Sequence, residues 1–248
     1  MYKRTFLLLL TVFLFFSCHS ITGTREELAI GRSIVIFSFD DGPDEHTTPQ
    51  LLDVLNRHGI KAMFFLLGVN AEKYPELVRR IHEEGHVIIN HGYYDRPAYS
   101  MTDDEFIDNL IRAEEAISSA IGFDLHPKLY RPHGGFYKSS HARILQDKGY
   151  SIVKANIRVY DAVKTSANQK RVVNQIINKV IKDGGGIVLL HDARGAYSQK
   201  KIELDRNPEG PFNRLWIVGV VDEVIVSLVE RGFILHHHDI LAIAGFGD

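Results

Sequence analysis

From Ser33 onward the chain alternates short, mostly continuous apolar runs with longer stretches whose apolar residues recur at helical spacing, and this alternation restricts its fold more than any other feature. The runs are 33–38, 62–67, 86–89, 128–130, 152–155, 186–190 and 233–235. They read as strands buried on both faces, as in a parallel sheet covered by helices. Between them, Tyr74, Leu77, Val78 and Ile81 fall at i, i+3, i+4, i+7, with Gly85 past the end. Thr102 and Glu105 form a capping box with Met101 placed to staple onto Phe106, and Leu110, Ala113, Ile117 and Ile121 continue that stripe to Gly122. Val172, Val173, Ile176, Ile177, Val180 and Ile181 stop at Gly184, and a last helix runs from about Trp216 to Glu230 before Gly232. With no linker or low-complexity tract, roughly seven β-α units predict one α/β domain over 30–248, either a barrel or an open doubly wound sheet. The polar segment 192–213, with Gly195, Pro208, Gly210 and Pro211, predicts a long loop of the kind that often serves function.

The N-terminus reads as an address. Lys3 and Arg4 precede an apolar run, Phe6 to Phe16, followed by Ser17 and Cys18. This is the order of a secretory signal, shorter than the roughly 20 apolar residues of a membrane span. Residues 1–20 are therefore expected to direct export to the cell envelope or beyond. Cys18 resembles the acylated cysteine of bacterial lipoproteins and offers a lipid anchor, although Leu14-Phe15-Phe16-Ser17 matches the usual lipobox only loosely and leaves a simple signal as the alternative. Cys18 is the only Cys, so no intramolecular disulfide framework can form. Lys and Arg total 29 against 31 Asp and Glu, a net charge of −2 with no basic excess for nucleic acid.

In α/β barrels the reacting groups lie where strands end. Here the first strand runs into Ser38-Phe-Asp-Asp-Gly-Pro43, the third into Asn90-His-Gly-Tyr-Tyr-Asp95, the fourth into Arg131-Pro-His-Gly-Gly135, the fifth leads toward Asp161, and the sixth ends in His191-Asp192. Carboxylates, imidazoles and one Arg converging on a single mouth have the makeup of a divalent metal site with an acid and a base beside it. Each motif alone has a plainer reading: Asp-Asp-Gly-Pro as a turn, His91 as a packed histidine, Asp161 as a loop carboxylate.

Together these motifs resemble the polysaccharide deacetylases of carbohydrate esterase family four, the NodB-homology family. The family's Thr-Phe-Asp-Asp-Gly appears as Ser38-Phe39-Asp40-Asp41-Gly42, and 61–68 with 75–86 looks like its second strand and helix. The resemblance implies a distorted (β/α)₇ barrel in a single domain, and a metal-dependent hydrolase that removes N-acetyl groups from amino sugars of a polysaccharide or peptidoglycan. It makes Asp40 the catalytic base, Arg131 its orienting partner, His191 the acid and Asp161 the group that tunes it. Gly134 would supply the oxyanion N–H, and Leu189 would match the Leu-x-His motif. Asp41 and His91 resemble metal ligands.

Three departures follow. The family's second metal-binding His is Asp95 here, so the expected ligand set is Asp41, His91 and Asp95, a harder site in which zinc competes with cobalt, manganese or iron, or from which the metal is lost. In the third motif His133 and Gly134 replace Pro and Tyr; His133 reads as a solvated loop histidine, with a substitute ligand as the alternative. Ala162 stands where Trp is usual, implying a more open pocket for the acetylated glycan. An O-acetyl esterase and a catalytically silent glycan-binding barrel are the competing readings. His236-His237-His238 reads as strand-end polar residues, because neighbours on a strand face opposite ways.

Overall fold

The computed structural model describes residues 33–194, 214–235, 240–243 and 245. The expected signal segment with Cys18, most of the long polar loop and His236-His237-His238 lie outside the described residues.

Among the described residues seven strands form one all-parallel sheet: β1 Val35–Asp40, β2 Met63–Leu66, β3 Val87–Asn90, β4 Leu129–Tyr130, β5 Ser151–Ile152, β6 Ile157–Arg158 and β7 Gly186–His191. Their order is β5-β4-β3-β2-β1-β7-β6. The two edge strands are consecutive in the chain, with 153–156 alone between them. That link reaches about 18 Å at full extension, whereas a flat sheet of this width would separate its edges by about 29 Å. The sheet must therefore curl until its edges nearly meet, which makes it a distorted barrel with a seam between β5 and β6 rather than an open doubly wound sheet.

Helices α1 Thr47–Arg57, α2 Gly68–Lys73, α3 Pro75–Glu83, α4 Asp103–Ile121, α5 Ser139–Asp147, α6 Gln169–Asp183, α7 Trp216–Glu230 and α8 Ile240–Ile243 complete the described domain. α4 starts on the full reciprocal capping box, in which the Thr102 side chain accepts from the Glu105 N–H while Glu105 reaches back, and it ends at left-handed Gly122. Met101 and Phe106 pack in one cluster with Tyr130 and Leu145. α1 and α5 escaped the apolar-spacing analysis because their buried stripes are short. α1 buries Leu51, Leu52 and Leu55, while α5 buries only His141 and Leu145.

Two predicted strands change. The run 152–155 is divided, with its pairing moved to β5 and β6, because the chain must cross the seam there. The run 233–235 contributes only a parallel bridge, Ile234 to Ile34.

The pleat sorts side chains into two layers. Phe37, Phe39, Phe64, Leu66, Ile88, Val188 and Leu190 face outward into the core shared with the helices. Ile36, Met63, Phe65, Ile89 and Leu129 face inward, with Ile187 packed against them. Four of the inward rows become polar at the same end of the barrel: Ile36 leads to Ser38 and Asp40, Ile89 to His91, Leu129 to Arg131, and Ile187 past Leu189 to His191.

Candidate active site

Period two brings Asp40 and His191, partners in register on adjacent strands, into the barrel mouth. Asp41, the next residue, would face away if the strand continued. Instead it adopts φ 73°, the left-handed region that Asp tolerates better than most residues. Its backbone is pinned there by its N–H to the Phe65 carbonyl (3.1 Å) and by Asn70 Nδ2 donating to its own carbonyl (2.7 Å). The turn puts neighbouring carboxylates into one site. Gly42 follows because a Cβ there would sit 2.6 Å from the buried carboxylate of Asp192. Burial pushes the Asp192 carboxyl up to about 7, against the hydrogen bond it accepts from Thr48 Oγ1 at 2.6 Å.

Arg131 Nη1 donates to Asp40 Oδ1 (2.6 Å) and to Ser38 Oγ (3.0 Å), and its guanidinium carbon lies 3.4 Å from the Phe65 ring centroid. Both partners of this ion pair are buried. One Asp40 oxygen is thereby occupied, and the other, Oδ2, faces His91 Nε2 at 3.7 Å.

His91 Nδ1 lies 2.8 Å from the Arg131 carbonyl. A carbonyl only accepts, so the proton sits on Nδ1 and the Nε2 lone pair points to Asp41 Oδ1, 3.5 Å away. The loop after β3 is tied to α4, with Asn109 Oδ1 accepting from the Tyr93 and Tyr94 N–H groups at 3.1 and 2.9 Å. It presents Asp95, also buried, to His133 Nε2 in direct contact. His133 in turn directs Nδ1 at Asp41 Oδ1, 3.6 Å away.

The sequence placed the third ligand at Asp95 and read His133 as a solvated loop residue. In the structure the donor atoms of Asp41, His91 and His133 lie within 4.8 Å of one another, and Asp95 stands behind His133. His133 is largely buried, with its side chain 15% exposed. The loop after β4 delivers an imidazole beside Asp41 and His91, and Asp95 on the loop after β3 contacts its far nitrogen. The signal in the sequence is the pair of departures, Asp at 95 and His at 133.

The donor set fits a divalent ion. Asp41 Oδ1 and His133 Nδ1 are buried and have no hydrogen-bond partner among the described residues. Burial works against ionisation of Asp41, but His91, His133 and His191 outweigh it and hold its carboxyl well below the ordinary range. Burial also works against protonation of His133, and Asp95 with Asp41 outweighs it, so its pKa is raised.

On the opposite wall His191 Nδ1 meets Asp161 Oδ1 at 3.0 Å, and the His191 backbone N–H donates to Asp161 Oδ2 at 3.0 Å. Asp161 is completely buried. Arg214, which the sequence analysis missed, closes this pair: Nη1 donates to the Asp161 carbonyl (2.9 Å), Nε to the His191 carbonyl (3.1 Å), and Nη2 contacts Asp161 Oδ2. Nothing in the spacing around Arg214, at the far end of the polar loop, points to such a role. Burial opposes charge on both acid and imidazole. It is overcome for Asp161 by His191 and Arg214, which depress the carboxyl, and for His191 chiefly by Asp161, which lifts the imidazole to about 9. A cavity of ≈ 510 Å³ opens between the two walls, lined by Asp40, His91, Arg131, His133 and His191, together with Gly134 and Leu189.

A family model described as polysaccharide deacetylase matches residues 29–153. The chain belongs to that family. Among curated relatives, a peptidoglycan-N-acetylglucosamine deacetylase of Bacillus cereus is 34% identical over 172 residues, 69% of this chain and 60% of the relative. The chain thus spans less than two thirds of that protein's length. A chitooligosaccharide deacetylase of Bradyrhizobium sp. is 30% identical over 206 residues, covering 83% of this chain and 89% of the relative. The crystal structure of the Bc1960 peptidoglycan N-acetylglucosamine deacetylase, in complex with an N-hydroxybenzamide, superposes with a TM-score of 0.63 at 31% identity, covering 81% of this chain and 83% of that one. The polysaccharide deacetylase fold therefore extends past the segment matched by the family model, through β7 and His191.

Proposed function

We propose that this protein hydrolyses N-acetyl groups on the amino sugars of an acetylated glycan, using one divalent ion held by Asp41, His91 and His133. The observation that carries the reading is the convergence of Asp41 Oδ1, His91 Nε2 and His133 Nδ1 at a cavity that the Asp40–Arg131 pair and His191, paired with Asp161, also line. One carboxylate with two imidazoles is a borderline donor set that suits zinc ahead of manganese, iron or cobalt. The chemistry such an ion supplies when bound is polarisation of a carbonyl oxygen and acidification of water.

The protein's own groups do the rest. Asp40 Oδ2, left open by Arg131, takes the proton of the attacking water. Arg131, fixed on Ser38 and stacked on Phe65, keeps that carboxylate from turning away. The Gly134 N–H donates to the oxygen that gains charge, and Leu189 walls the acetyl group. His191 is held as an imidazolium by Asp161, itself locked by Arg214, and protonates the departing nitrogen. Asp95 orients His133 from behind. Export by residues 1–20, with anchoring through a lipid on Cys18, would place this chemistry at envelope glycans; deacetylases of that type are among the relatives.

The test is acetate release by the purified protein from N-acetylglucosamine oligomers and peptidoglycan, with chelator and then zinc, cobalt, manganese or iron added back. Release that chelator stops and one metal restores is expected. Release from O-acetylated glycans alone would move the reading to an esterase, and no release from folded, metal-loaded protein would move it to a silent barrel.

A further inference from the structure

The seam between β5 and β6 carries a charge pattern that the deacetylation chemistry leaves unused. Lys154, on the link across the seam, and Arg158, at the end of β6, are both exposed and both line the site cavity. Arg158 Nε donates to the Ala155 carbonyl at 3.1 Å, which fixes the plane of the guanidinium. Its Nη1 lies 3.6 Å from where a Cβ on Gly135 would be, so the fork reaches across the seam to the loop holding Gly134. Among the described residues neither Lys154 Nζ nor the Arg158 Nη atoms have an ion pair or a hydrogen bond. Among the described residues Asp40 is the only carboxylate lining the cavity, and Arg131 already neutralises it. The wall between β5 and β6 thus offers two uncompensated cations to whatever enters.

The same wall presents Tyr160, 71% exposed and in the left-handed region at φ 53°. That conformation is disfavoured for a bulky residue, and strain of this kind collects at ligand sites. Its exposed ring is a face on which a sugar can stack.

We infer that Lys154 and Arg158 form a subsite for a carboxylate that the glycan carries beside its acetamido group. On the deacetylase reading, on which this rests, the preferred substrate is an anionic amino-sugar polymer such as the muramic-acid-containing strand of peptidoglycan, rather than a neutral chitin-type oligomer. A guanidinium fork receives a carboxylate through two parallel hydrogen bonds, and the nearby ammonium adds a point charge. A neutral sugar offers these donors hydroxyl and amide oxygens but no charge to pair with.

Four length-matched oligomers test this. One is built of N-acetylglucosamine, one alternates it with N-acetylmuramic acid bearing free lactyl carboxylates, one has those carboxylates as methylamides, and one carries them amide-linked to a short peptide with a free terminal carboxylate. The wild-type protein should favour a carboxylated oligomer over its methylamide by about tenfold in kcat/KM, mainly through KM. The second and fourth substrates distinguish a lactyl from a peptide carboxylate. The double variant Lys154→Gln/Arg158→Gln should bring that ratio close to one, Arg158→Lys should retain part of it, and added salt should erode it. A wild-type ratio near one, or a ratio unchanged in the double variant, overturns the inference while leaving the deacetylase reading intact. Should no oligomer release acetate, the deacetylase reading fails, and calorimetric binding decides the subsite separately. Tighter binding of a carboxylated oligomer than of its methylamide by wild type, lost in the double variant, supports it; equal binding refutes it.

Discussion

Replacing Asp95 by Asn separates a metal ligand from a residue that acts through one. Asp95 is 5% exposed and touches Nε2 of His133, whose Nδ1 points at Asp41. Asn keeps the shape and removes the charge, so His133 loses the partner that holds its ring and raises its basicity. Losses of this kind weaken metal binding by about 10–100-fold, or about 1.4–2.8 kcal/mol. His133→Ala should cost more, since it deletes a ligand outright. The decisive comparison is the double variant. If Asp95 works only through His133, then Asp95→Asn added to His133→Ala changes the zinc dissociation constant by no more than about twofold, and the two single effects are strongly non-additive. The assay is zinc competition against a chromophoric chelator on the alkaline side of neutrality, where proton competition for His133 is weakest. Additive losses would show that Asp95 reaches the ion independently of His133, and its role as a positioning residue would be wrong.

The remaining predictions concern the opposite wall and the turn after β1. His191 has its folded pKa raised from 6.5 to about 9, so it contributes stability that is complete below 6.5 and is lost as pH rises through about 9. In metal-free protein, denaturant unfolding should show a loss on the order of 3 kcal/mol over that window, and Asp161→Asn should flatten it. Arg214→Met removes one of the two cations beside the fully buried Asp161, leaving His191, and should destabilise the fold by about 1.5–3 kcal/mol in the same assay, with Arg214→Lys recovering part. Gly42→Ala drives a methyl to 2.6 Å from the Asp192 carboxylate and should cost about 1–3 kcal/mol in thermal or denaturant unfolding. Adding Asp192→Ala should relieve most of that cost; an unrelieved loss would place the strain elsewhere.

Much of this architecture is legible in local pattern. Strands β1, β2, β3, β4 and β7, and the helices at 75–83, 103–121, 169–183 and 216–230, follow from apolar periodicity and from caps such as Thr102, Glu105 and Gly122, all of which are properties of neighbouring residues. The inward march of Ile36, Ser38 and Asp40, or of Ile187, Leu189 and His191, follows from period two along one strand. β6 was not legible, because two paired residues at a seam leave no periodic trace.

By itself the sequence determined an α/β chain with polar groups concentrated at strand ends and with Asp40, Asp41, His91, Arg131, Asp161 and His191 each at the tip of an apolar run or in the loop it leads to. The tertiary structure decided closure, since only a curled sheet lets four residues join its two edges. It also decided which imidazole lies beside Asp41 and His91. His133 and Asp95 belong to loops after different strands, and Asp161, His191 and Arg214 are scattered over more than fifty positions, so the contacts that give these groups their roles are set by the curvature and register of the sheet rather than by any spacing along the chain.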